Sequence, residues 1–385
     1  MGKLNIFEIT FANQQEVFYG GQIIQGHVTV ELKDEIKMRG IRLHFEGGAR
    51  VHWTEQTNSV TRSYSSSETY FNHTLVLFGN GPEQKEEDPV LKAGRYTYPF
   101  SFQLPTGIPS SYEGFSGRVR YSVAGVINRP WKFDHTTRRA FTVVDPLDLN
   151  LEPMATKGAS ANDEKTLCCL CCKSGPISCM FKLNRLGYVP GEVIPITGEI
   201  NNGSRRKMTS SFADIRMTVQ YHATIKTRTR WNSVSKISHG AIEPGDSDMW
   251  NGDHLPIPPL PPSGLRGCRI IDIKYSAVLN VDPSGLGLDL VVPIDILIGS
   301  IPLHAVAQQY GPPPPLSGTS IPMQPSAPSN MGLPPPSYAE SAFGKVNIRE
   351  ESDNEHTRGN MEFAPVYSYY NWNQHEANTF VPVTD

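Results

Sequence analysis

Tyr19-Gly20-Gly21-Gln22-Ile23-Ile24-Gln25-Gly26 returns later in the chain as Tyr188-Val189-Pro190-Gly191-Glu192-Val193-Ile194-Pro195-Ile196-Thr197-Gly198. The second copy carries one more residue before its Gly-Gln/Glu step and two more before its closing glycine. Two extra residues in a strand leave every later side chain on its original face. A second pair supports the first: Arg118-Val119-Arg120-Tyr121-Ser122-Val123 is echoed by Asp272-Ile273-Lys274-Tyr275-Ser276-Ala277. Each of these follows a Leu-Pro step, Leu104-Pro105 and Leu260-Pro261. Offsets of roughly 150 to 170 residues in both pairs point to one β-unit written twice in tandem.

Outward from these repeats, apolar residues alternate with polar ones: Val28, Val30, Leu32; Ile41, Leu43, Phe45; Tyr96, Tyr98, Phe100, Phe102, Leu104; Met217, Val219, Tyr221; Leu288, Leu290, Val292, Ile294, Ile296. Period two marks half-buried strands, and little of the chain has helical spacing. Turns come from 33 Gly and 32 Pro. The expected fold is all-β, two tandem immunoglobulin-like β-sandwiches over residues 1–147 and 178–305. Residues 148–177 read as a linker, polar from Leu149 to Lys165 and carrying a cysteine cluster. Thr54 to Thr69 and Asn80 to Pro89 read as long surface loops. From 306 to 385 proline is dense and apolar periodicity stops, the composition of a disordered Pro-rich tail.

A net charge of −3, with both signs spread along the chain, gives no field favouring nucleic acid or an anionic membrane. Met1 to Ile6 lacks the features of a secretory signal, and Ile6 stands where a myristoylation signal needs Ser or Thr. Five of the six cysteines lie between 168 and 179 rather than spread to close large loops, so a soluble, cytoplasmic protein is expected.

In the tail, Pro335-Pro336-Ser337-Tyr338 is a Pro-Pro-x-Tyr element. Adjacent prolines hold polyproline II without further ordering and fit between the aromatic side chains of a WW domain, while Tyr338 enters a neighbouring pocket. Ala364-Pro365-Val366-Tyr367 keeps Pro365 and Tyr367 and is a candidate weaker site, an aromatic-rich end being the other reading. Cys168, Cys169, Cys171 and Cys172 are candidates for palmitoylation, beside metal or redox chemistry and plain linker packing. No second CxxC or histidine pair lies at zinc spacing, so no metal site is assigned. Lys226, Arg228 and Arg230 share one face of an alternating segment, either a contact for an anionic partner or a solvated strand face. No HExxH, GxSxG or P-loop is present, the histidines are scattered, and neither enzyme activity nor a cofactor is expected.

These residues resemble the α-arrestin, or arrestin domain-containing, family over about residues 3–305. The resemblance rests on Tyr98-Pro99-Phe100-Ser101-Phe102-Gln103-Leu104-Pro105, Arg129-Pro130-Trp131, Pro190-Gly191-Glu192, Trp250-Asn251-Gly252 and Gly299-Ser300-Ile301-Pro302-Leu303-His304, among others. It implies the arrestin fold and a trafficking adaptor. Pro335, Pro336 and Tyr338 would then recruit HECT-type ubiquitin ligases to receptor or transporter cargo, for ubiquitination, endocytosis and endosomal sorting at plasma membrane and endosomes. Other arrestins and endosomal adaptors are implied partners, with peripheral membrane association. The alternatives are a sorting scaffold that acts without a ligase and, from another class, an enzyme with a convergent site. Ala364, in place of a proline, weakens the second tail element as a ligase site.

Overall fold

The computed structural model describes residues 3–57, 60–81, 87–166, 175–283, 289–310, 337–350 and 353–372. Two β-sandwiches follow one another. In the first, Leu4–Phe11, Ile23–Leu32 and Gly94–Gln103 form one sheet. The facing sheet runs in the order Val17–Tyr19, His135–Val144, Gly117–Asn128, Gly40–Thr57, Val60–Gly79. The second sandwich repeats the plan. Ala159–Lys165, Ile177–Leu183, Val193–Asn202 and Ser247–Pro256 face a sheet ordered Gly187–Tyr188, Leu290–Ile298, Ile271–Pro283, Met208–His222, Thr227–Ser238.

The sequence repeat is a structural repeat in detail. Val17–Tyr19 and Gly187–Tyr188 each pair in parallel with the last long strand of their sandwich. Gly21 and Gly191 hold the left-handed conformation that the following turn needs, φ +83° and +95°. The next side chain closes each turn: Gln22 accepts from the Tyr19 amide at 2.9 Å and Glu192 from the Val189 amide at 3.2 Å. Val119, Tyr121 and Val123 are fully buried, as are Ile271, Ile273 and Tyr275, and the apolar residues of both sandwiches join in one continuous core.

Three boundaries differ from the sequence reading. Thr54 to Thr69 belongs to the two arms of a long hairpin, Gly40–Thr57 paired with Val60–Gly79, not to a loop. The inward residues of its outer part, Tyr64, Ser66 and Glu68, are only half-buried and mostly polar, so the hydrophobic alternation that identifies a strand is lost. Within the linker, Ala159–Lys165 pairs with Ile177–Leu183 as an edge strand. An edge strand with one open side tolerates the polar composition that made it look like a connector. The third is in the tail. His304–Tyr310 is a short helix, and residues 337–350 and 353–372 add five short strands against the sandwiches. The proline-rich stretch 311–336, with Pro335 and Pro336, lies outside the described residues.

Candidate functional site

The tail docks through single anchors rather than a periodic face. Arg138, on the His135–Val144 strand, pairs with Glu350 at 2.7 Å and Asp353 at 3.2 Å. The side chains of Arg138 and Asp353 are 9% and 4% exposed, so each needs the other's charge. Just beyond, Thr357–Gly359 pairs in parallel with Thr136 to Arg138 of the same strand. The Arg358 guanidinium reaches the Asn5 carbonyl at 3.2 Å.

Val366–Tyr369 then enters the crevice between the sandwiches. Its Val366 amide donates to Thr142 Oγ1 at 3.2 Å, and the Tyr367 hydroxyl donates to the Ser111 carbonyl at 3.1 Å, both in the first sandwich. From the second sandwich, Pro190 accepts the Tyr370 amide at 3.0 Å, and Ser300 accepts the Tyr370 hydroxyl at 2.8 Å. Tyr370 stacks on Trp372 with ring centroids 5.3 Å apart, and both close a small apolar cluster with Leu149, Ala155, Val189 and Leu303. Burial pushes the Tyr367 phenol well above its ordinary range and the Tyr370 phenol upward.

Val366–Tyr369 is also one half of a two-stranded ladder whose other half is Ser337–Glu340. Tyr338 lies opposite Ser368, and Ala339 opposite Tyr367. The Ser341 amide donates to Pro365 and the Ala342 amide to Pro259 of the second sandwich. The end of the Pro-Pro-x-Tyr element is thus joined through its backbone to the segment in the crevice.

The other candidate residues separate. Pro365 is buried and Tyr367 is 3% exposed, so in this arrangement the second tail element presents neither residue to a WW domain. Its tyrosine serves as an anchor because a phenol matches a crevice that is apolar along its walls and carries a carbonyl at its end. Lys226 and Arg228 do not form a free anionic-partner face. Both pair with Glu55 of the long hairpin, and they lie over the Tyr64 and Trp53 rings. The hydrogen bond from Lys226, helped by one from Trp53 and by the two positive charges, draws the Glu55 carboxyl below its usual range. Arg230 is exposed. Cys168, Cys169, Cys171 and Cys172 lie outside the described residues. Cys179 is buried, and burial pushes its thiol up to about 12.

Sequence reasoning missed Arg138, Tyr370 and Trp372. The aromatic run from Tyr367 to Trp372 was visible, but nothing in it named the carbonyls of Ser111, Pro190 and Ser300 as partners, which folding alone brings together. Arg138 stands in a strand with another arginine beside it and reads as solvated until the acidic tail segment is seen against it.

The domain pair can now be compared with known proteins. The family pattern described as arrestin (or S-antigen), N-terminal domain, matches residues 7–150, and that of the arrestin C-terminal domain matches residues 173–303. Arrestin domain-containing protein 17 of Caenorhabditis elegans is 34% identical over 317 residues, covering 78% of this chain and 72% of that protein. Arrestin domain-containing protein 4 of Mus musculus is 32% identical over 344 residues, 86% of this chain and 81% of its own length. Human thioredoxin-interacting protein is 27% identical over 300 residues, 77% of this chain and 75% of that one. With two sandwiches of one topology, both domain patterns in order and relatives aligned along most of their length, the chain belongs to the arrestin family as an arrestin domain-containing, or α-arrestin, member.

Proposed function

We propose that this arrestin-fold protein is a non-catalytic trafficking adaptor whose element at Pro335, Pro336 and Tyr338 docks a WW-domain HECT-type ubiquitin ligase. Its sandwiches contact membrane cargo, a receptor or a transporter, and the ligase so recruited ubiquitinates the cargo for endocytosis and endosomal sorting. The observation that carries this reading is the placement of a Pro-Pro-x-Tyr element beyond two complete sandwich modules, in a tail continuous with them. Tethering on one chain raises the effective concentration of a bound ligase at any cargo held by the same molecule. The protein works in the cytoplasm and is recruited to plasma membrane and endosomes, with other arrestins or endosomal adaptors as further partners. Palmitoylation of Cys168, Cys169, Cys171 and Cys172 would add one weak membrane anchor, which needs a second contact to hold stably. Proximity labelling from the full chain in cells tests the assignment. Wild type should label HECT-type ligases together with membrane proteins, and Tyr338→Ala should lose the ligases while keeping the membrane proteins. Equal ligase labelling by both would sink it.

A further inference from the structure

The crevice between the sandwiches is a site for an extended aromatic peptide, and the protein fills it with its own Val366–Trp372. The strand seated there is the ladder partner of Ser337–Glu340, so the crevice and the end of the docking element share one piece of structure. Building on the ligase-docking reading, we infer that WW-domain engagement at Tyr338 and seating of Val366–Trp372 in the crevice oppose each other through the ladder that joins them, the second tail element acting as the latch on the first.

The opposition follows from backbone geometry. A WW domain reads its ligand as polyproline II, a conformation with no ladder partner, and closes aromatic side chains around it. In the latched tail Tyr338 is in a β-ladder, with Ser368 opposite. Paired strands lie about 4.8 Å apart, which leaves no room for a second domain between them. The flanking amides are committed as well, Ser341 to Pro365 and Ala342 to Pro259. Engagement therefore requires Ser337–Glu340 to peel away from Val366–Tyr369.

What remains on the crevice side is then a single strand that has lost its partner. Its hold depends on Val366 at Thr142, Tyr367 at Ser111, Tyr370 at Pro190 and Ser300, the packing of Trp372, and the fit of the Tyr370 carbonyl against Gly191. A Cβ at Gly191 would stand 1.9 Å from that carbonyl oxygen, so the backbone of the segment is received at a position only glycine leaves open. By linkage, a ligand that binds only the open tail must pay for opening, and its apparent affinity falls by the fraction of molecules already open. The same coupling makes ligase docking expose the crevice.

Titration of a recombinant WW domain from a HECT-type ligase tests this with three ligands: a synthetic peptide of residues 331–345, the full chain, and the full chain with Tyr367→Ala and Tyr370→Ala. The peptide, which has no latch, should bind about tenfold or more tighter than the wild-type chain, and the double variant should recover most of that difference. Equal affinity of peptide and wild-type chain overturns the latch while leaving ligase docking intact. A peptide that binds no better than its Tyr338→Ala form overturns the docking reading instead. Hydrogen exchange on the wild-type chain gives a second readout, independent of how well the variant folds. Saturation with the WW domain should speed exchange at Val366 to Tyr369, and unchanged protection there contradicts the inference.

Discussion

Tyr121 and Tyr275 hold equivalent posts in the two sandwiches. Each is buried, and each hydroxyl donates to a proline carbonyl, Pro109 at 2.7 Å and Pro261 at 2.8 Å. Tyr121→Phe or Tyr275→Phe keeps the ring but orphans a buried carbonyl, a loss of about 1–3 kcal/mol measurable by denaturant unfolding of the affected sandwich. Arg138 is a harsher case, since Arg138→Ala leaves the buried Asp353 carboxylate without its cation, a cost of about 3–5 kcal/mol. The tail, which this pair fastens to the first sandwich, should yield first. Hydrogen exchange should show Thr357–Gly359 losing protection while the sandwich cores keep theirs.

His239 supplies a pH dependence. Its ring lies flat on Trp250, 3.7 Å between centroids, with Nδ1 at 2.9 Å from Asp248 and Nε2 at 3.4 Å from Asp253. Partial burial pulls its pKa down, but the hydrogen bonds and charges of the two aspartates outweigh that and raise it. A folded-state pKa above the unfolded value near 6.5 means that the protonated ring adds stability in full below that value. The contribution fades as pH rises through the folded pKa. Wild type and His239→Gln should therefore differ most in thermal stability at mildly acidic pH and converge above neutrality. A difference that grows with pH would contradict the aspartate clamp.

At the scale of elements, the long hairpin Gly40–Thr57 and Val60–Gly79 reaches the second sandwich, where Glu55 meets Lys226 and Arg228, and Thr224 donates to the Ser65 carbonyl. The pairing is solvent-exposed, so it positions the hairpin more than it stabilises the protein. Glu55→Ala should leave the melting temperature nearly unchanged while exchange at the hairpin's outer residues accelerates, an effect that shrinks as salt screens the wild-type contact. The strands themselves were legible wherever one face is buried: Ile41, Leu43, Phe45 and Val119, Tyr121, Val123 alternate in the sequence and are fully buried in the fold. Legibility ended where that asymmetry ends. The hairpin's outer part turns mostly polar side chains inward, Ala159–Lys165 is an edge, and the tail strands are two to four residues long, too short to show a period. The site divides in the same way. Pro335 to Tyr338 is a local code that one sequence displays, whereas the seat of Tyr367, Tyr370 and Trp372 is assembled from both sandwiches and exists only after they fold.

For the whole molecule, the two sandwiches, their shared core and the folded-back tail make one unit in which the end of the Pro-Pro-x-Tyr element is tied to the crevice between the domains. The buried Tyr112 and Tyr221 hydroxyls, 2.9 Å apart, join the domains, and Arg266 with Asp145 and Arg269 with Glu68 meet across the exposed rim, so that one peptide can touch both. The proposed role turns on Tyr338, and a titration of one recombinant WW domain into the full chain and into Tyr338→Ala addresses it most directly. An anchor tyrosine of this kind contributes about 2 kcal/mol or more, so the variant should bind roughly thirtyfold more weakly or not at all. Equal affinity for wild type and Tyr338→Ala would contradict the account.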